Sequence, residues 1–274
     1  MARPMWFVNL LKKSFGLRDI GAELTNWPIL GRVMERALFN GHRSGDALFY
    51  LPKDRVVIDQ AVDQGENVVV PSTVVAHFIN EASHIFLMNE CICRSAENCQ
   101  NYDHDIGCIF LGEAVLDINP KLGRLVDKET ALAHAARARE AGLIHLIGRD
   151  KIDSVWMGAA PSTKLMTICN CCPCCCLFRF LPNLAPKLQK KLERLPFVRL
   201  EVTDDCVGCG NCTQDVCFID AIHMVNGKAV ISEDCRGCGH CAEVCPEGAI
   251  KVVIEREDYI ENAIQRLSQA VDVH

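Results

Sequence analysis

"DDCVGCGNCTQDVCFIDAI" at residues 204–222 returns as "EDCRGCGHCAEVCPEGAI" at residues 233–250, and the reading of this pair decides the C-terminal architecture. From Cys206 to Cys235 the offset is 29 residues. A repeat of that length is one supersecondary unit made twice and packed against its copy. The first half offers Cys206, Cys209, Cys212 and Cys217; the second offers Cys235, Cys238, Cys241 and Cys245. Three cysteines at successive x2 intervals can wrap three corners of an iron–sulfur cube, and a more distant fourth closes it. Zinc needs only four thiolates, usually as two separated pairs. The doubled triple run therefore points to iron–sulfur chemistry. Gly208, Gly210, Gly237 and Gly239 suit loops whose backbone must approach sulfur closely, and the Asn226-Gly227 pair in "MVNGKAV" reads as a hairpin turn between the halves.

On these residues, 200–255 closely resembles bacterial dicluster ferredoxins. The resemblance implies two 4Fe–4S clusters that exchange a ligand between repeats. One would use Cys206, Cys209, Cys212 and Cys245; the other Cys235, Cys238, Cys241 and Cys217. The chain departs from that pattern at one place. Four residues rather than three separate Cys212 from Cys217, and Phe218 stands where a proline follows Cys245 in the second half. An extra residue can bulge outward without removing the ligand.

Ten cysteines remain of the 18 in this 274-residue chain. Four lie in "CICRSAENCQNYDHDIGC" (Cys91, Cys93, Cys99, Cys108) and six in "CNCCPCCC" (Cys169, Cys171, Cys172, Cys174, Cys175, Cys176). The first group has thiolates enough for one cluster or one zinc, and its spacing matches no standard zinc finger. In the second, neighbouring cysteines cannot all reach one small ion without backbone strain, and Pro173 restricts the turn between them. Metal ligation is expected over free or disulfide thiols, because crowded unligated thiols oxidise readily. One cubane could use four of the six, or the two groups could mix, ten thiolates serving one or two further clusters. Asp103, His104 and Asp105 are alternative ligands, or ordinary loop residues in water.

A wider resemblance covers residues 50–255. "CICR…C…GCIFLGEA", "ALAHAARAREAGLIHLI", "ICNCCPCCC" and the repeat together look like a family of large ferredoxin-type proteins of anaerobic bacteria and archaea. It implies cytoplasmic electron transfer, often beside flavin or other redox partners, and supplies no established substrate.

The rest of the chain reads as α+β: a mixed α/β, cysteine-rich region at 51–181, followed by the ferredoxin-like region at 200–255. "PSTVVAHFIN" and "DKETALAHAARARE" have helix starts and helical spacing. "RVVID", "ENVVV", "LIHLI" and "STKLMTIC" read as strands. His77 and His84 read as ordinary, partly buried histidines. A proline-bounded connector helix is expected over 182–199 and a C-terminal helix over 256–274. In the helical segment 1–50, Trp6, Phe7, Leu10, Leu11 and Phe15 fit one face beside Lys12 and Lys13. That face either packs on the chain's own core or docks on a subunit or membrane surface.

Net charge is −6, which gives no basis for nucleic-acid binding. No stretch reaches the roughly 18 apolar residues of a membrane span. With no secretory cleavage site, clustered C-x2-C groups suit a reducing, cytoplasmic compartment. Neither a G-x-G-x-x-G nor a P-loop stands in a strand–helix context, so the electron donor is expected on another subunit. The leading function is one-electron relay between redox partners, with no catalytic residue in the chain. The alternative is an oxidoreductase with an open iron or thiol site at "CNCCPCCC", with Arg94, His104 and His145 as helpers. A zinc-stabilised scaffold is the third reading, and the repeat counts against it.

Overall fold

In the computed structural model, residues 2–38, 47–52, 57–58, 71–190 and 192–274 are described. Twelve strands lie among them: β1 (Ala47–Leu51), β2 (Val57–Ile58), β3 (Ile85–Met88), β4 (Ile109–Leu111), β5 (Gly123–Leu125), β6 (Ile144–Arg149), β7 (Met166–Cys171), β8 (Leu192–Arg194), β9 (Val198–Val202), β10 (Ile222–Val225), β11 (Lys228–Ile231) and β12 (Ile250–Ile254). Seven form one sheet in the order β5-β3-β4-β7-β6-β1-β8, antiparallel except where β8 runs parallel to β1. A second sheet has the order β2-β12-β9, and β10 and β11 form a hairpin. The class is α+β.

Side-chain alternation along the strands sorts residues onto two faces. Phe49, Leu51, Ile85, Leu87, Ile109, Leu111, Ile147, Met166 and Ile168 enter one core. The helices Ser72–Glu81, Lys128–Glu140 and Tyr259–Ala270 cover it with Phe78, Ile79, Ala131, Ala135, Ile260 and Leu267. The residues between them, Tyr50, Ile144, Leu146 and Cys171, turn to the other face. Phe86, Met88 and Phe110 do the same further along the sheet. One face is thus sealed by helices and the other is left for the cysteines.

Local signals set the element ends. Asp127 caps the helix Lys128–Glu140 by accepting from the Thr130 N–H at 2.8 Å, and Gly142 follows its end at φ 85°. Asp150 caps Lys151–Met157 through the Ile152 N–H at 2.8 Å. The β10–β11 turn places Asn226 and Gly227 at φ 50° and 78°, the primed-turn geometry that suits strand twist.

Two expectations meet a different structure, and a third is only partly described. Residues 182–199 do not form one connector helix: a four-residue helix, Pro186–Gln189, is followed by β8, which joins the large sheet. Pro186 stands in the first turn of that short helix, and Pro196 lies in the connection between β8 and β9. Of "RVVID", only Val57 and Ile58 are described, as β2 beside β12; "ENVVV" lies outside the described residues. In the helix Met5–Ser14 and the turn after it, Val8 and Phe15 are the buried pair, seven residues apart on one face. Trp6 and Leu10 instead face out, 66% and 55% exposed. No helix among the described residues is long and apolar enough to cross a membrane.

Ile168, in the central strand β7, has no exposed surface. Ile168→Ala should cost about 2–5 kcal/mol and lower the midpoint of an anaerobic urea titration of the whole chain. An unchanged midpoint would mean that the sheet does not hold the fold together.

Candidate metal centres

All 18 cysteines are free of disulfides. In the C-terminal repeat, Cys206, Cys209, Cys212 and Cys245 line one cavity of about 330 Å³. Cys217, Cys235, Cys238 and Cys241 line a second of about 340 Å³. The fourth cysteine of each repeat thus stands with the first three of the other. Backbone N–H groups point at the sulfurs: Ala229 to Cys206 at 3.5 Å, Ala221 to Cys217 at 3.2 Å, Gly237 to Cys235 at 3.4 Å and Ala249 to Cys245 at 3.3 Å. Such donors stabilise thiolates rather than thiols. The N–H groups of Ala229 and Gly208 hold Cys206 below the usual thiol value.

Gly208 needs its missing side chain, since a Cβ there would lie 2.0 Å from the Gly227 carbonyl oxygen. The extra residue of the first half is absorbed at Asp215, whose φ is 55° and whose side chain is exposed. Cys217 keeps its place, and Phe218 packs inward on Tyr50 with ring centroids 4.6 Å apart.

The ten remaining cysteines come from two segments that the sheet brings together. β3 and β4 bracket the loop carrying Cys91, Cys93, Cys99 and Cys108, and β7 pairs with β4. Alternation sends Cys169 and Cys171 to one face of β7, and the turn beyond splits the rest. Cys91, Cys93, Cys108, Cys169, Cys171 and Cys176 surround one cavity, which Cys172 also borders, with about 670 Å³ of unfilled space, part of it open to solvent. Neighbouring sulfurs touch around it: Cys108 and Cys169 at 3.4 Å, Cys171 and Cys176 at 3.5 Å. Cys99, Cys172, Cys174 and Cys175 gather separately.

Crowding sets the electrostatics of the larger cavity. Hydrogen bonds from Cys108 and Cys93 draw Cys91 well below the ordinary thiol value, while the same contact with Cys91 pushes Cys93 well above it. Contact with Cys169 pushes Cys108 up as well. These sulfurs cannot all ionise together without added positive charge. Burial likewise raises Cys238 and Cys241 in the repeat. A donor set of buried, mutually contacting sulfurs with inward N–H groups fits iron–sulfur clusters, whose irons supply that charge.

Arg94 has no exposed surface and holds the cysteine loop by its guanidinium. It donates to the carbonyls of Asp103 at 3.0 Å, Asn170 at 2.7 Å and Ile106. The alternative ligands are engaged elsewhere: Asp105 pairs with Arg137 at 2.8 Å, with Asp103 nearby, and the His104 ring meets the Cys99 carbonyl at 2.9 Å. His145 bonds Asn170 Oδ1 at 2.9 Å, on the face of the sheet away from Cys169 and Cys171. His77 and His84 are half-buried; His84 meets Ser83 Oγ at 3.1 Å.

Two residues of the site carried no sequence signal. Tyr50 lies fully buried with its hydroxyl 3.9 Å from Cys176 Sγ. Asp153 lines the cavity beside Trp156 and accepts from Thr167 Oγ1 at 2.6 Å; burial pushes its carboxyl up to about 6. Each sits in an ordinary apolar or helical stretch, and only the fold brings it to sulfur.

Arg94→Lys should replace a fork that reaches three carbonyls with one ammonium. Each carbonyl left unpaired costs on the order of 1–3 kcal/mol. The expected outcome is a lower thermal midpoint, with N-terminal metal lost before that of the repeat; equal loss from both would contradict this role.

Residues 213–256 match the family model of the LdpA Fe-S cluster-binding domain. No curated protein and no solved structure matches the chain. The match ends past Cys245 and spans five of the eight repeat cysteines. With the cysteine groupings, it supports the conclusion that this is an iron–sulfur-binding protein.

Proposed function

We propose that the chain is a multi-cluster iron–sulfur protein, or the electron-transfer subunit of an oxidoreductase complex, that relays single electrons between redox partners in anaerobic metabolism. Two 4Fe–4S clusters would sit in the dicluster ferredoxin-type repeat, one bound by Cys206, Cys209, Cys212 and Cys245, the other by Cys217, Cys235, Cys238 and Cys241. A further cluster belongs to the N-terminal cavity. Bound clusters supply one-electron chemistry, whose potential is set by burial and hydrogen bonds to sulfur.

One observation carries the reading. Tyr50 stands between two of the cavities: its hydroxyl meets Cys176, its ring packs on Phe218, and Cys171 and Cys238 are also close enough to perturb it. Phe218 follows Cys217, and Tyr50, Phe218, Cys171, Cys176 and Cys238 share one core. Cys206, Cys212, Cys217, Cys241 and Cys245 share the next core. The cysteine groups therefore form an uninterrupted series through packed protein.

The docking face for partners is proposed at the N-terminal helices, where Trp6, Leu10, Leu17, Ile20, Trp27, Ile29 and Val33 are exposed. A redox protein such as a flavoprotein, or a membrane surface met peripherally, would suit it. A cytoplasmic setting is proposed with it. The second reading, an oxidoreductase acting at the N-terminal cavity, draws on that cavity's size, about 670 Å³ against 330–340 Å³ for those of the repeat. Small ligands should then alter its EPR signal, whereas a closed relay cluster would not respond.

Anaerobically purified protein should carry well above the roughly eight irons that two cubanes account for; a count near eight would sink the N-terminal cluster. Tyr50→Phe should leave iron content unchanged but shift one midpoint potential to a more negative value, because it removes the phenolic hydrogen bond to sulfur. Unmoved potentials would take Tyr50 out of the relay.

A further inference from the structure

Cys99, Cys172, Cys174 and Cys175 differ from every other cysteine group in one measurable way. The sulfurs of Cys99, Cys172, Cys174 and Cys175 all lie within 4.8 Å of one another, with Cys99–Cys174 and Cys174–Cys175 both at 3.6 Å. Among the described residues, no other set of three or more cysteine, histidine or carboxylate ligands gathers so tightly. The two four-cysteine sets of the repeat do not: each surrounds a cavity instead.

Size decides what such a set can hold. A single ion bound to four thiolates at about 2.3 Å puts the sulfurs about 3.8 Å apart at the corners of a tetrahedron. The observed cluster is already close to that figure. A cubane must fit four irons and four sulfides between its thiolates, and these sulfurs leave no such room. Only Cys172 of the four borders the larger cavity.

The surroundings suit bound thiolates. The Cys175 N–H donates to Cys172 Sγ at 3.3 Å, and the backbone of Asn101 and Tyr102 bonds to Cys99. Arg94 reaches Cys172 and brings a positive charge toward the site. Three of the four cysteines are buried and the fourth half-buried. Four protein sulfurs complete a tetrahedron and leave no position for water or substrate, the mark of a structural site.

The conflict over adjacent cysteines is resolved by division. β7 ends at Cys171, and the turn around Pro173 sends Cys172, Cys174 and Cys175 toward Cys99, while Cys169, Cys171 and Cys176 stay on the larger cavity. We infer that Cys99, Cys172, Cys174 and Cys175 hold one soft divalent cation, Zn²⁺ or Fe²⁺, in a closed tetrathiolate site that ties the 89–108 loop to the end of β7. Both tied segments also supply walls of the larger cavity. Thiolate-rich tetrahedral sites select these metals. The inference is independent of whether the chain relays electrons.

The test is metal and sulfide analysis of the full-length protein purified anaerobically. Cubanes contain iron and sulfide in equal amounts, so the tetrathiolate site should appear as one equivalent of zinc, or of iron, in excess over sulfide. Cys174→Ser should remove that equivalent and leave sulfide unchanged, whereas Cys108→Ser should remove iron and sulfide together. Metal equal to sulfide, or a Cys174→Ser protein that loses both, would overturn the proposal. Should Cys174→Ser fail to fold, X-ray absorption on the wild-type protein decides: four sulfurs at about 2.3 Å around the excess metal are expected, and nitrogen or oxygen ligands refute it. A protein without sulfide would defeat the relay reading, yet the tetrathiolate ion would still be counted.

Discussion

Sulfur atoms in contact inside a protein set the terms for everything else in this molecule. Each thiolate formed makes the next harder to form, and burial removes the water that would soften the repulsion. Contact among these sulfurs pushes Cys93 and Cys108 upward and draws Cys91 down. Only cations placed among them, with N–H donors around the rim, make the arrangement favourable. The fold reads as the apparatus that holds such sulfurs in place: a seven-stranded sheet with helices closing one face and cysteines occupying the other.

The same constraint explains how the two halves of the chain fit together. Tyr50 comes from β1 of the large sheet and Phe218 from the repeat, yet they pack in one core with Cys171, Cys176 and Cys238. The helix Tyr259–Ala270, which follows the repeat, returns to cover the other face of the sheet. Cysteines from distant parts of the sequence are therefore walls of a continuous interior.

Much of this was legible in the residues. The resemblance to dicluster ferredoxins implied that the fourth cysteine of each repeat would stand with the first three of the other, and the two cavities are lined in that way; the odd residue between Cys212 and Cys217 is taken up at Asp215. The division of the other ten cysteines was hidden. It depends on β4 lying beside β7, a contact between segments some sixty residues apart (Cys108 and Cys169 touch), and no local pattern encodes strand order. The connector segment departs from the expected helix for a related reason. "LQKKLERL" has helical spacing, but Leu192–Arg194 gains more as an edge strand beside β1. At the N-terminus, apolar character was plain, while the choice of Val8 and Phe15 over Trp6 and Leu10 was made by the surface they met.

Only Leu195, Pro196 and Phe197 separate β8, hydrogen-bonded to the large sheet, from β9, hydrogen-bonded within the sheet of the repeat. So short a tether gives the repeat no arc to swing through. The chain is built like a soldered joint: the gaps between its cysteine groups are set when it folds.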